Sequence, residues 1–553
     1  MQTLFRDLVG PPLAASTATN VSELLSIQAR ERGDQDAVRV VHGGTISYAE
    51  LDRRASGLAG ALAKEGLARG DRVSLFVRPG IELVLVTHAL LRLGAVPVLI
   101  DPGMGKASLL DCIKRVEPRA LIGVGKAQLA RVLHARAFRS VELFVTVGRR
   151  FGWSGPTLDE LEARAPKSFE TLEPSPNDTA AILFTSGSTG PPKGVVYTHG
   201  IFTAQTHALA ELYGLAPGDV DLACFPLFAL FDHALGLTSV FAPLDPSAPA
   251  TCDPQAIVLA ANQHRATFSF GSPAIWKRIL PYLERGDRRF ETLRTVTIAG
   301  APVPPELTTR LARRLAENGD VHTPYGATEA LPVASFSASE TTPEIVARID
   351  AGEGTCVGRL APGMRARILP IDDEPQPALA DGLGPGVVGE LAVTGPVVTP
   401  NYLFDEDATA QAKSFDVDGR LWHRMGDLCR IDDDDRLWFL GRKSHRLETP
   451  HGLLPPVGVE NVFNALDEVA RTALVGVGKP GKEKPVLIVE PAPGVAPKVA
   501  IKAAEALAAA RADDGTLPKL HATLAKSEFP VDVRHNAKIH RLELKAWAEK
   551  RVR

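Results

Sequence analysis

Residues 185–194 read TSGSTGPPKG and follow the apolar run Ala180-Ala181-Ile182-Leu183-Phe184. The run reads as a buried strand. The next ten residues hold three glycines, two serines, two threonines, two prolines and one lysine. Glycines let backbone N–H groups approach an anion closely. The hydroxyls add donors, and Lys193 adds a point charge. A strand feeding such a loop suits a polyphosphate. It is not the loop of the P-loop kinases and ATPases, which ends in Gly-Lys-Ser/Thr, because Lys193 stands between Pro192 and Gly194. The same residue types also fill ordinary surface loops, so the remainder of the chain has to decide.

Upstream of the loop, helix and strand alternate. Residues 48–63 read as a helix opened by Ser47, 72–77 as a strand, 82–93 as a helix, and 96–100 as a strand ending at Asp101-Pro102-Gly103. Residues 120–123 and 141–147 continue the pattern. It predicts a parallel sheet with helices on both faces. Residues 152–178, rich in Pro, Glu and Ser, read as a surface connection. Downstream, 266–270 and 295–298 read as strands closed by Gly271-Ser272-Pro273 and Gly300-Ala301-Pro302. Ligands of open parallel sheets sit beyond the carboxyl ends of strands, so these turns are candidates for one shared site.

Residues 360–440 are more β-rich, and the acidic run 432–435 reads as a solvated hairpin turn. Past Arg442 the composition shifts toward two strands (469–477 and 485–489), an Ala/Lys-rich helix (496–510) and a charged end. The expected fold class is α/β. A large N-terminal domain, 1–442, holds mixed and parallel sheets flanked by helices plus a β-rich subdomain. A small α+β domain, 443–553, follows it.

The chain has 553 residues, enough for more than one domain. Apolar residues make up 45% and charged residues 23%, a globular composition. A net charge of −3 gives no electrostatic footprint for nucleic acid. The five cysteines are widely spaced, without a C-x-x-C pair, which fits reduced thiols and a cytoplasmic setting. The longest apolar stretch, 80–100, carries Glu82, His88 and Arg92 and is broken by Gly94 and Pro97. It reads as a buried helix and strand, not a membrane span. Leu4-Phe5 and Leu8-Val9 read as a terminus docked on the core, with a short membrane- or partner-facing turn as the alternative.

Four further motifs carry chemistry. In Tyr325-Gly326-Ala327-Thr328-Glu329 an aromatic can face a purine, and a carboxylate can take a hard cation. In Gly426-Asp427-Leu428 a carboxylate can hold two hydroxyls. In Gly441-Arg442 a planar cation suits ribose or phosphate oxygens. Asn536-Ala537-Lys538-Ile539-His540-Arg541 brings a lysine near the chain's end. Each string also occurs in plain turns and helix starts.

In this order and spacing, from roughly residue 20 to 553, the motifs resemble the adenylate-forming superfamily of acyl-CoA ligases, luciferases and peptide-synthetase adenylation domains. The resemblance implies ATP and Mg²⁺. It implies that Thr185, Ser186, Gly187, Ser188, Thr189, Gly190 and Lys193 hold the triphosphate. Gly300, Ala301 and Pro302 would lie against adenine with Tyr325 stacked on it. Thr328 would bond the α-phosphate, Glu329 would bind Mg²⁺, and Asp427 would hold the ribose with Arg442 nearby. Lys538 would be the adenylation lysine.

Two departures bear on the acceptor of the activated acyl group. The family's Pro-x-x-His-x-x-Gly segment is stretched here into FPLFALFDHALG (225–236), in which His233 reads as a base, a gate or a structural histidine. Phe228, Leu230 and Phe231 suit an alkyl chain or a packed core. Ser444 stands where the family's hinge carries an acidic residue or lysine, and Ala537 replaces the glycine before the final lysine. Strings such as AGAPVPP, TPYGATEALPVA, HRMGDL and GRKSHRLET resemble the branch that closes β-lactones in bacterial long-chain olefin biosynthesis. That branch implies a small-molecule substrate, a 2-alkyl-3-hydroxy fatty acid, and partner enzymes that condense, reduce and decarboxylate. The alternatives are a long-chain acyl-CoA ligase and a catalytically silent acyl- or nucleotide-binding subunit.

Overall fold

The computed structural model describes residues 7–14, 18, 20–185, 192–513, 517–531 and 539–552. A six-stranded sheet has the order Leu143–Val147, Ala120–Val124, Arg72–Phe76, Val96–Ile100, Thr179–Thr185 and Lys193–Thr198. The first five strands are parallel. The last returns antiparallel, with Thr185 paired to Lys193. The helices on this sheet follow from pattern. In Tyr48–Lys64 the side chains of Leu51, Ala55, Leu58 and Leu62 recur at helical spacing and are buried. Ser47 caps it by accepting the Glu50 N–H at 3.3 Å. Ile81–Leu93 is buried almost throughout and stops at Gly94, at φ 69°.

A 15-stranded sheet runs through the rest of the large domain. Its antiparallel part passes from Leu8–Val9 through Arg365–Leu369, Gly389–Thr394, Leu421–Ile431, Leu437–Arg442, Thr355–Leu360 and Ala330–Ser337 to Asp320–Ala327. There it becomes parallel, through Thr295–Ile298, Phe268–Gly271, Val220–Ala223, Thr238–Phe241 and Asp36–Val40. The β-rich stretch thus continues the parallel sheet. Near the chain's start Leu8 pairs with Ala366, and Arg367 Nε donates to Asp7 Oδ1 at 2.7 Å; Leu4 and Phe5 lie outside the described residues.

Past Arg442 the strands form sheets of their own. Val469–Val477, Lys484–Pro491 and Ala522–Ala525 make a three-stranded sheet. Leu474, Leu487 and Val489 on one face pack Ala500 and Ala504. Ala473, Val475, Val486 and Ile488 on the other pack Leu544 and Ala548. This is the two-residue period of a strand covered on both sides.

Three sequence expectations change. The connection 152–178 contains a helix, Leu158–Ala163, with a capping box between Thr157 and Glu160. The Tyr325 motif, whose aromatic the sequence pattern places at a strand end, lies within a strand that enters a tight hairpin with Ala330–Ser337. The run 432–435 does lie in a hairpin turn with 433–435 exposed, but Asp432 is 6% exposed and accepts from Trp438 Nε1 at 2.8 Å and Arg348 Nη1 at 2.9 Å. Among the described residues no helix is long and apolar enough to cross a membrane, and all five cysteines are buried and free.

Candidate active site

Three adjacent parallel strands aim their carboxyl ends the same way. Gly271 lies opposite Ile298, and Thr297 opposite His322. The turns after Gly271, after Ile298 and around Gly326 therefore share one edge, as the strand-end pattern requires. Gly326 has a steric reason: a Cβ there would meet the Ala330 carbonyl oxygen at 2.6 Å and Leu331 Cδ1 at 2.9 Å. The hairpin closes only with glycine at this position.

Glu329 sits at the tip of that hairpin, and a segment from elsewhere clamps it. The Thr399 N–H and Oγ1 both donate to the Glu329 carbonyl, at 2.9 and 3.0 Å. Tyr402 Oη donates to Glu329 Oε1 at 2.6 Å. The same segment pairs with the other sheet, where Leu403 N–H donates to the Gly194 carbonyl at 2.7 Å. The Tyr402 ring lies 4.9 Å from Lys193 Nζ. Tyr197, on the strand Lys193–Thr198, donates to the Thr328 carbonyl at 2.5 Å. The two sheets thus bring Lys193, Thr328 and Glu329 to one place. Tyr402 takes one Glu329 oxygen. The other has no protein partner among the described residues, which fits a carboxylate that shares a dication with phosphate oxygens. Among the described residues no group of three or more His, Cys, Asp or Glu side chains forms a protein-only metal cage.

Asp427 is 3% exposed on the long strand Leu421–Ile431. Tyr325 Oη donates to its Oδ2 at 2.6 Å, and Arg442 Nη1 lies 3.0 Å from Oδ1. The pairing has a backbone cause, since Asp427 and Arg442 are register partners on neighbouring strands. Burial raises the Asp427 pKa, and the Arg442 charge opposes that. The Asp427 charge in turn raises Arg442. Tyr325 is pushed well up, by burial first and by Asp427 second. A carboxylate, a guanidinium and a phenol are thus fixed together in one buried corner.

The AMP-binding enzyme family matches residues 25–403. The chain belongs to this family of AMP-binding enzymes. It is 44% identical over 550 residues to the olefin beta-lactone synthetase of Xanthomonas campestris pv. campestris, covering 96% of this chain and 98% of the relative. It is equally similar, 44% over 551 residues, to the olefin beta-lactone synthetase of Stenotrophomonas maltophilia, with the same coverage. Among solved structures, an amide bond synthetase from Marinactinospora thermotolerans superposes with a TM-score of 0.78 at 23% identity, over 95% of this chain and 99% of that one. That likeness speaks for the fold alone.

In this AMP-binding enzyme, Ser186, Gly187, Ser188, Thr189, Gly190 and Lys538 lie outside the described residues, and Thr185 is described by its backbone only. Gly300, at φ 97°, and Pro302 are exposed at the strand-end edge, with Ala301 half-buried between them. His233 is not with this group. It is 0% exposed, and its Nε2 is 3.3 Å from Ser239 Oγ, which donates to Asp232 Oδ2 at 2.5 Å. Its ring meets Tyr48 and His88 at centroid distances of 6.4 and 5.6 Å. Burial lowers its pKa to about 3. A neutral histidine packed this way orders the interior; it does not present a base. Near it, Asp221 and Asp232 are both raised by burial; the Asp232 charge raises Asp221 further, while hydrogen bonding from Ser239 and Asp221 opposes the rise at Asp232. Neither Asp221 oxygen meets a protein donor among the described residues.

The phenylalanines of the stretched segment form an aromatic chain. Phe228 stacks on Phe270 at 4.8 Å and touches Phe231 at 5.8 Å. Phe231 meets Phe202 at 5.9 Å, and Phe202 stacks on Tyr197 at 5.0 Å. Apolar surface therefore runs from the short helix Asp232–Leu235 to the residue that holds Thr328. Sequence reasoning missed Tyr402 and Lys413. Lys413 is 6% exposed, donates to the Thr399 carbonyl, and is lowered to about 7 by burial, against the Glu329 charge. An isolated lysine in an Ala- and Ser-rich context gives no sign of burial. Tyr402 could have been flagged as one of only six tyrosines in the chain.

Proposed function

We propose that this chain is an ATP- and Mg²⁺-dependent β-lactone synthetase acting on a 2-alkyl-3-hydroxy fatty acid. The observation that carries the reading is the end-to-end 44% identity with two olefin beta-lactone synthetases. A carboxylate is a poor electrophile until it has a good leaving group. Its oxygen attacks the α-phosphorus of ATP, pyrophosphate departs, and an acyl adenylate remains. The 3-hydroxyl oxygen then attacks the acyl carbon. The C–O bond to AMP breaks, and the hydroxyl proton leaves with the AMP phosphate.

The protein's part is positioning and charge compensation. Asp427, Arg442 and Tyr325 would seat the ribose and adenine, Lys193 would face the departing phosphates, and Lys538 would offset charge between carboxylate and α-phosphate. Glu329, oriented by Tyr402, would hold Mg²⁺, which when bound neutralises phosphate charge. The aromatic chain from Phe228 to Phe202 supports an alkyl-binding wall, and an internal hydroxyl needs no second substrate. The unit from residue 443 onward would act as the lid that carries Lys538.

The test is product analysis with a synthetic 2-alkyl-3-hydroxy acid, ATP and Mg²⁺, with and without CoA. A neutral product lighter than the acid by one water, formed without CoA, is expected. An acyl-CoA as the sole product would overturn the reading, and so would equal turnover of an acid lacking the 3-hydroxyl.

A further inference from the structure

The helix Gly125–Leu133 is packed inside out. Its buried side chains are polar. Gln128 is 0% exposed and donates to the Val145 carbonyl at 2.9 Å. Arg131 is 8% exposed, donates to the Ser154 carbonyl at 3.0 Å, and stacks on Phe144 at 3.7 Å. Its apolar side chains point the other way. Leu129, Val132 and Leu133 are 50%, 61% and 66% exposed, and their spacing places them in one stripe. No other helix among the described residues leaves more than one large apolar side chain exposed. Phe151, 64% exposed, extends the stripe: with Trp153 it lies against Gly125, where a Cβ would meet both rings within 3.9 Å.

Hydrophobic surface is ordinarily lost when a helix folds onto a sheet. Here the fold uses hydrogen bonds and a cation–π contact to hold the inner face, and keeps the apolar one outside. The surroundings are basic. Residues 125–140 carry Lys126, Arg131, His134, Arg136 and Arg139 and no acidic residue, and Arg149 and Arg150 flank Phe151. The nearest carboxylates are largely engaged: Glu160 pairs with Arg150 at 3.1 Å, Glu142 with Arg119 at 3.1 Å, and Glu117 with Arg139 at 3.8 Å. Asp159 is the exposed exception. Lys126, Arg136 and Arg149 have no carboxylate partner among the described residues.

We propose that this face docks on an anionic lipid surface. An apolar stripe with a basic border is the composition of an interfacial helix. A protein interface of standard size covers about 800 Å² on each partner, more than a stripe of four side chains supplies. The docking does not depend on the substrate assignment, although a fatty acid substrate would give it a use: the substrate would enter from the bilayer.

The test is flotation of the full chain with vesicles of phosphatidylcholine alone and of phosphatidylcholine with about one-third phosphatidylglycerol. The wild type should float with the anionic vesicles and not with the neutral ones. Val132→Asp with Leu133→Asp should lower the bound fraction about tenfold or more. Lys126→Glu with Arg136→Glu should abolish the preference for anionic lipid. These residues lie on the outside, so melting temperature and turnover of a short, water-soluble 3-hydroxy acid should not change. Failure of the wild type to float overturns the proposal, as does equal flotation of the aspartate pair. A loss of self-association in that pair, seen by light scattering without any flotation, would instead assign the face to a second copy. Failure of the β-lactone reading would show in product analysis and leave flotation untouched.

Discussion

The Tyr402 hydroxyl donates to Glu329 Oε1 at 2.6 Å while the Tyr402 ring lies 4.9 Å from Lys193 Nζ. One side chain thus orients the candidate metal carboxylate and borders the phosphate lysine. Tyr402→Phe keeps the ring and removes the hydroxyl. A hydrogen bond to a charged group is worth about 1.5–3 kcal/mol, so kcat/KM for ATP should fall about tenfold or more. The half-saturating Mg²⁺ concentration should rise. Pyrophosphate release measured across a Mg²⁺ titration checks this; an unchanged Mg²⁺ curve would remove Tyr402 from the site.

Asp427→Asn keeps an acceptor for Tyr325 but removes the charge that faces Arg442. AMP affinity should drop about 10–100-fold, equivalent to roughly 1.4–2.7 kcal/mol. Tyr325→Phe, which leaves the Asp427–Arg442 pair intact, should cost less. Calorimetric titration of both variants with AMP distinguishes a ribose seat from a purely structural ion pair, for which both would bind AMP like the wild type.

The Asp221–Asp232 pair makes a prediction about pH. Burial raises both pKa values, and the Asp232 charge raises Asp221 further, so the native state holds more protons than the unfolded chain. Stability then falls as pH rises through the raised native values. The loss is absent in acid, below the ordinary carboxylate range. Asp221→Asn removes one of the two charges. From about pH 5 to about pH 8, straddling the shifted range, the wild-type melting temperature should fall relative to that of the variant. Parallel curves would show that the pair does not hold extra protons.

Phe228→Ala would open a hole between Phe268, Phe270 and Phe231. The expected loss is about 3–5 kcal/mol, read by urea unfolding. Gly326→Ala should also destabilise, because its Cβ would lie 2.6 Å from a backbone oxygen that cannot yield without opening the hairpin.

Much of the frame was legible because it is local. The strands Val96–Ile100 and Thr295–Ile298 end where their apolar runs end, and Ser47 marks a helix start that its own hydroxyl caps. The Tyr325, Asp427 and Arg442 motifs could be read as a set because order and spacing are properties of the chain. Their contacts could not, since Tyr325 and Asp427 meet across 102 positions. Nor could burial of polar groups be read. Lys413 and Asp432 look like surface residues in sequence, yet distant elements enclose both, and His233, read as a base, a gate or a structural histidine, is enclosed as well. The helix Gly125–Leu133 shows the same limit in reverse. Its apolar period is clear, but not the direction in which it points, which is set by the partners of Gln128 and Arg131.

The segment around Tyr402 also bears on how the molecule comes apart. Val195 and Ala330 belong to different sheets, yet one short stretch bridges to both, at Tyr402 and at Val398. Removing that stretch would take one bridge from each sheet at once. Heat or denaturant should therefore dissolve the two sheets in a single cooperative step. The three-stranded unit after Arg442, whose cores are its own, should exchange its amide protons on a separate timescale.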